Sequence, residues 1–240
     1  MALRWPLRLG GATTDPDAVY VFLKAEGIAY GRIPKAANSQ MRARLAARAG
    51  LDQAGRWSVN QDQYWADPRR REVALLTGGE LRRRYPDAAV FTVVRNPFDR
   101  LASCYRSKML EETGKVDFGP GFARGMAFDA FVRRVAETPD RRANKHFRAQ
   151  TSILFRGGEP KSLFVVRLDR LADEWPALRR HLIEARGFDI GPVPGPEGAP
   201  RPDSLARVQW TDELIALARE RYRDDLARFF PQVEGPAAAR

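Results

Sequence analysis

The sequence predicts an α/β fold: a mostly parallel central sheet flanked by helices. Two observations predict it. Short apolar runs alternate with segments of helical period along the chain. Two of these runs end in a turn that opens directly onto a helix. One cysteine, Cys104, excludes an intrachain disulfide, so a chain of 240 residues must be held by its core.

The elements follow in order. Residues 1–17 carry no period, and we expect them and residues 231–240 to be loose ends of one domain spanning 1–240. Ala18–Leu23 and Gly27–Ile33, split by Lys24-Ala25-Glu26-Gly27, predict a hairpin or one strand reached from a turn. From Asn38, Met41, Leu45 and Ala49 recur every four residues, which predicts a helix ended by Gly50. Residues 51–72 are polar and read as a long loop, and Thr77–Tyr85 as a short helix before Pro86. Ala88–Val94 is continuously apolar, as a buried parallel strand requires. Asn96 then suits an N-cap and Pro97 the first turn of a helix whose buried face is Phe98, Leu101, Ala102, Tyr105 and Met109. Further helices are expected at Phe128–Val135, Leu171–Ala185 and Thr211–Phe230, and a third buried strand at Ser162–Leu168. Lys145–Phe155 has no clear pattern, and Gly191–Pro202 reads as a surface loop.

Lys+Arg is 41 and Asp+Glu 30, a formal charge of +11, which points to an anionic partner. Only six of the basic residues are lysine, Lys35 among them, so arginine is the default cation. Two histidines, His146 and His181, and one cysteine leave little to ligate a metal, and none is expected. No N-terminal apolar region and no long apolar stretch is present, so we expect a soluble, cytoplasmic protein without a membrane span.

Both informative motifs are strand-to-helix turns, where free N–H groups and a partial positive charge favour phosphate or sulfate. The first is Pro34-Lys35-Ala36-Ala37-Asn38-Ser39, with a lysine, small residues that admit an anion to the backbone, and a polar helix start. It is not a Walker A loop, because GxxxxGK[ST] is absent. The second is Arg95-Asn96-Pro97-Phe98-Asp99-Arg100-Leu101-Ala102-Ser103-Cys104-Tyr105, where an arginine fork and a serine hydroxyl can bind phosphate. Each alone also reads as a capped helix with an ordinary charged surface.

Together the two segments resemble the sulfotransferases that use 3′-phosphoadenosine 5′-phosphosulfate (PAPS), most closely the carbohydrate branch of sulfotransferase family 2, the chondroitin and dermatan type. The first segment is similar to the 5′-phosphosulfate loop of that family, and Phe91–Lys108, with R-x-P-x-x-R-x-x-S-x-Y intact, to its 3′-phosphate segment. Asn144–Gln150 and Tyr222–Phe230 resemble later stretches more weakly, and the likeness spans roughly residues 19–230. Animal members carry a membrane anchor and act in the Golgi, a feature not seen here, and Ala37-Asn38-Ser39-Gln40 departs from the residues many members carry.

The resemblance implies a P-loop-like sulfotransferase fold. It also implies PAPS as donor, 3′,5′-ADP as product, no metal, and a hydroxyl acceptor on a glycan or glycolipid. Lys35, Ala36, Ala37, Asn38, Ser39 and Gln40 would hold the 5′ end, and Arg95 and Ser103 the 3′-phosphate. Sulfuryl transfer builds charge on the bridging oxygen, where the flexible ammonium of Lys35 fits better than an arginine fork. His146 is the candidate base, with Glu26 or Asp62 as alternatives; a structural or substrate-orienting role for His146 stays open.

Other features read as follows. His181 is expected on the surface and Cys104 in buried packing. Arg69-Arg70-Arg71 and Arg82-Arg83-Arg84 are either solvated faces or a lure for an acidic acceptor beside the crevice. Arg201 and Arg207 are weaker donor contacts, and the aromatics Trp57–Trp65 are a sugar platform or core. Two rival functions stay open. A nucleotide-dependent phosphotransferase lacks its Walker A loop here. A basic nucleic-acid-binding protein would explain the charge but not two anion loops.

Overall fold

The computed structural model describes residues 15–52, 57–110, 118–195 and 207–237. Its strands are β1 (Tyr20–Leu23), β2 (Ile28–Gly31), β3 (Val73–Leu76), β4 (Ala89–Val94) and β5 (Phe164–Arg167). They form one mixed sheet in the order β3-β1-β2-β4-β5. β1 pairs antiparallel with β2 and β3, while β2, β4 and β5 pair in parallel, so β1 alone runs against the others. The helices are α1 (Asn38–Arg48), α2 (Asp62–Ala66), α3 (Gly78–Arg84), α4 (Pro97–Tyr105), α5 (Phe128–Glu137), α6 (Gln150–Leu154), α7 (Leu171–Arg186), α8 (Asp212–Arg221) and α9 (Arg223–Phe229).

The strand period of two sorts side chains into two cores. Tyr20, Phe22, Ala29, Val90 and Val94 face α3 to α6, α8 and α9, with Phe98, Phe131, Leu154 and Phe229 packed on them. Val21, Ile28, Tyr30, Phe91 and Val93 face the other way, onto Met41, Leu45, Trp65, Trp175 and Leu178 of α1, α2 and α7. This is the helix–sheet–helix layering expected of an α/β chain. The predicted hairpin forms around Gly27, whose φ of 65° suits glycine. At the end of β2, Gly31 leaves room for α6: an added Cβ would stand 2.7 Å from Leu154 Cδ2. Tyr20 Oη donates to the Leu154 carbonyl at 2.7 Å and fixes the same contact.

Several expectations are corrected. Residues 51–72 are not all loop, because Tyr64 and Trp65 of α2 are fully buried. The strand β3 was not foreseen; it is four residues long and takes its identity from pairing with β1. The third buried strand is an edge strand, β5, in which Val166 alone is buried. The terminal helix breaks at Tyr222 (φ −116°, ψ 23°), whose buried hydroxyl donates to the Phe147 carbonyl at 2.7 Å. Residues 15–18 are not loose, since Asp17 pairs with Arg148 at 3.5 Å and Arg156 at 3.0 Å. Nor are 231–237 wholly free: Gly235 accepts from Asn96 Nδ2 at 3.2 Å.

Helix α3 begins with two glycines and depends on its cap. Thr77 Oγ1 accepts from the Glu80 N–H, and the Glu80 carboxylate accepts from the Thr77 N–H. Thr77→Ala should therefore lower stability by about 1 kcal/mol, read as a shift in the urea midpoint with an unchanged slope.

Candidate active site

Because β2 and β4 are parallel neighbours, with Gly31 opposite Thr92, the chain leaves both at the same edge of the sheet. After β2 it turns towards β3 on one side, and after β4 it turns towards β5 on the other. The crevice between such diverging ends is where α/β sheets bind ligands.

The turn after β2 is held in an unusual conformation. Lys35 (φ 70°) and Ala37 (φ 54°) are both left-handed without being glycine, which costs roughly 1–2 kcal/mol each. Helix α1 then starts at Asn38 with no acidic residue in its first turn. Its N-terminal partial charge is uncancelled, an arrangement that favours an anion.

The turn after β4 supplies the restraint. Asn96 caps α4 by accepting from the Phe98 N–H at 3.0 Å. Arg95 Nη1 donates to the Lys35 carbonyl at 3.1 Å, so the two turns lie in contact. Arg100, 1% exposed, donates to three carbonyls: Pro34 at 2.9 Å, Arg148 at 2.7 Å and Lys145 at 2.9 Å. One buried fork thus ties the 34–39 turn and the segment bearing His146 to the same helix.

These segments border a cavity of about 590 Å³ lined by Lys35, Ala37, Asn38, Ser39, Lys108, Lys145 and His146 together with Arg32, Arg42, Asn60, Asp62 and Gln63. Lys35 Nζ donates to Ser107 Oγ at 2.7 Å. Asp62 binds Arg32, Arg42 at 3.0 Å and Lys145 at 3.0 Å. Burial alone would raise its carboxyl, but Arg32 and Lys145 outweigh that and hold it below the usual carboxylate range. Asp62 is thereby a counter-ion and a poor base. Glu26, the other alternative, sits in the β1–β2 turn at the opposite end of the sheet.

The state of His146 follows from its neighbours. Asn144 Oδ1 accepts from the His146 backbone N–H at 3.1 Å, which identifies that amide atom as oxygen. The same oxygen lies 2.7 Å from His146 Nδ1, so Nδ1 carries the proton and Nε2 the lone pair. Burial, then Lys108, Lys145, Lys35 and Arg100, lower the imidazole to about 3, so the ring is neutral at pH 7.

Not every predicted residue lines the cavity. The Ala36 side chain is buried in the core. Gln40 turns away, its Nε2 donating to the Gly195 carbonyl at 3.3 Å. Arg95 stands behind the Lys35 backbone, and Ser103 is half-buried on α4, outside the lining. Tyr64 and Trp65 are core, not a sugar platform. Both arginine runs are remote: Arg71 lies beside the hairpin turn, its carbonyl accepting from Lys24 Nζ at 2.7 Å, and Arg82–Arg84 end α3 just before β4 begins. His181 is half-buried and stacks on Phe164 with centroids 5.1 Å apart. Cys104 is buried, which pushes its thiol up to about 12. Arg207 is exposed, and Arg201 lies outside the described residues. Arg32 and Arg42 carry no sequence signal, whereas Arg100 and Lys108 fall within the Phe91–Lys108 segment and Lys145 and Gln150 within Asn144–Gln150, without a role of their own in the sequence reading.

The sequence model of the sulfotransferase family matches residues 19–230. No curated protein and no solved structure matches the chain. Among the described residues, no helix is long and apolar enough to cross a membrane.

Replacing Arg100 by Met leaves three carbonyls without a charged donor. Stability should fall by about 3 kcal/mol or more in denaturant unfolding. Arg100→Lys should recover little of it, because an ammonium cannot reproduce the planar fork.

Proposed function

The chain belongs to the sulfotransferase family, and we propose that it moves a sulfuryl group from PAPS to a hydroxyl of a carbohydrate or glycolipid. The observation that carries the reading is the 3.1 Å contact between the Arg95 guanidinium and the Lys35 carbonyl. It brings the two anion-binding turns within the reach of one nucleotide phosphorylated at both 3′ and 5′ positions.

When bound, the donor supplies a sulfuryl group joined through oxygen to its 5′-phosphate. The uncancelled N-terminus of α1, with Asn38 and Ser39, would hold the 5′ end. Arg95 and Ser103 would hold the 3′-phosphate, remote from sulfur, and so contribute binding more than rate. The Lys35 ammonium leaves Ser107 to meet the charge that develops on the bridging oxygen as its bond to sulfur breaks. His146 Nε2 takes the acceptor proton as the new oxygen–sulfur bond forms.

The charge around His146 sets when it can do so. Burial, and then Lys108, Lys145, Lys35 and Arg100, depress its basicity in the free site, and a bound anionic nucleotide would offset the share that comes from those cations. Base strength therefore depends on occupancy of the donor site. The cavity lining also includes Asn60, Asp62, Gln63 and Arg42, polar groups that favour a hydroxyl-rich acceptor over an apolar phenol.

Transfer of label from radiolabelled PAPS to a panel of glycans, glycolipids and phenols tests the reading; label on none of them, with no binding of 3′,5′-ADP, removes it. Lys35→Ala should keep donor affinity within about tenfold and lose about a thousandfold in kcat. Turnover equal to that of the native enzyme would take that role from Lys35. At saturating donor, the acidic limb of kcat should inflect between about 3 and the ordinary histidine value of 6.5. His146→Gln should abolish that inflection and cost about a hundredfold in kcat, read from kcat against pH.

A further inference from the structure

Asp225, in the first turn of α9, is fully buried and far along the chain from both turns. Its Oδ1 accepts from the Thr151 N–H and Oγ1, each at 2.8 Å. Its Oδ2 accepts from the Gln150 N–H at 2.7 Å and from Gln150 Nε2 at 3.4 Å. The carboxylate therefore caps α6 from another helix and orients the Gln150 side chain in the same act. Gln150, also fully buried, uses its amide as a strand would use its backbone: Oε1 accepts from the Arg95 N–H at 3.0 Å, and Nε2 donates to the Arg95 carbonyl at 2.9 Å. Arg95 in turn reaches the Lys35 carbonyl. A continuous line of hydrogen bonds runs from α9 to the strained turn.

We propose that Asp225 is a positioning residue for the donor: through Gln150 it fixes the backbone of Arg95, and so the direction in which the Arg95 guanidinium faces the 3′-phosphate. The proposal rests on the donor reading above. It accounts for a charged side chain that is wholly enclosed and makes all its bonds to one four-atom edge of α6, although capping a five-residue helix does not by itself require a carboxylate. The contact of Oδ2 with Gln150 Nε2 adds a charged acceptor to the amide that pairs with the Arg95 N–H and carbonyl, and so holds it in that pairing.

The test is a double-mutant cycle read by calorimetric binding of 3′,5′-ADP, with thermal unfolding measured in parallel. Asp225→Asn and Gln150→Ala should each weaken binding about tenfold, and the pair should be no weaker than Gln150→Ala alone within about twofold. The stability loss caused by Asp225→Asn should persist in both backgrounds, because its bonds to Thr151 do not pass through Gln150. In steady state the KM for donor should rise while the KM for acceptor stays within about twofold. Unchanged affinity in a folded Asp225→Asn protein overturns the proposal, as does an equal tenfold loss in the Gln150→Ala background. Should Asp225→Asn fail to fold, Gln150→Ala decides alone, and wild-type affinity in it overturns the proposal. A native protein that does not bind 3′,5′-ADP removes the donor reading and this proposal together; native binding with unaffected variants removes this proposal only.

Discussion

The hydrogen bond from the Arg95 guanidinium to the Lys35 carbonyl is the constraint on which the site depends. It exists because β2 and β4 are parallel neighbours whose ends share one edge of the sheet. It matters because Lys35 and Ala37 hold left-handed backbone that neither residue favours. Arg100 adds a second restraint on the Pro34 carbonyl and links it to the segment of His146. The strain of the turn is thus offset by Arg95, just before α4, and by the buried Arg100 within it, and the lysine is presented without a glycine loop.

Electrostatics then separates the chain's charge into working and ordinary parts. The formal +11 invited a reading of the arginine runs as a lure for acidic acceptors. Those runs stand at the far end of the sheet, where Arg69 pairs with Asp67 at 2.7 Å and Arg70 lies over the Tyr64 ring. The cations that line the cavity are fewer, Lys35, Lys108, Lys145, Arg32 and Arg42, and three of them, Arg32, Arg42 and Lys145, pair with its one carboxylate, Asp62. Burial first, and then Lys108, Lys145, Lys35 and Arg100, hold the His146 imidazole below its ordinary value.

Much of this was legible from sequence where local chemistry decides structure. Asn96 and Pro97 predict the start of α4, the apolar run at 88–94 predicts β4, and the turns at 34–39 and 95–103, which the sequence motifs pair, lie in contact. What escaped was whatever depends on partners distant in sequence. β3 is a strand because β1 lies beside it, and Tyr222 breaks a helix of good period because its hydroxyl has a carbonyl to reach. Arg100, Gln150 and Asp225 fall within segments that carry the family resemblance, but nothing local shows what they bond: a buried arginine and a solvated one look alike in a chain that uses arginine everywhere. That Asp62 is a paired counter-ion and that Glu26 lies at the opposite end of the sheet likewise show only in the ion pairs and the hairpin geometry.

The most direct measurement is a crystal structure of the protein with 3′,5′-ADP. We predict one nucleotide spanning both turns, its 5′-phosphate against Lys35, Asn38 and Ser39 and its 3′-phosphate within hydrogen-bonding distance of Arg95 and Ser103. A nucleotide bound elsewhere, or one whose 3′-phosphate points into solvent while the 5′ end is held, would contradict the account.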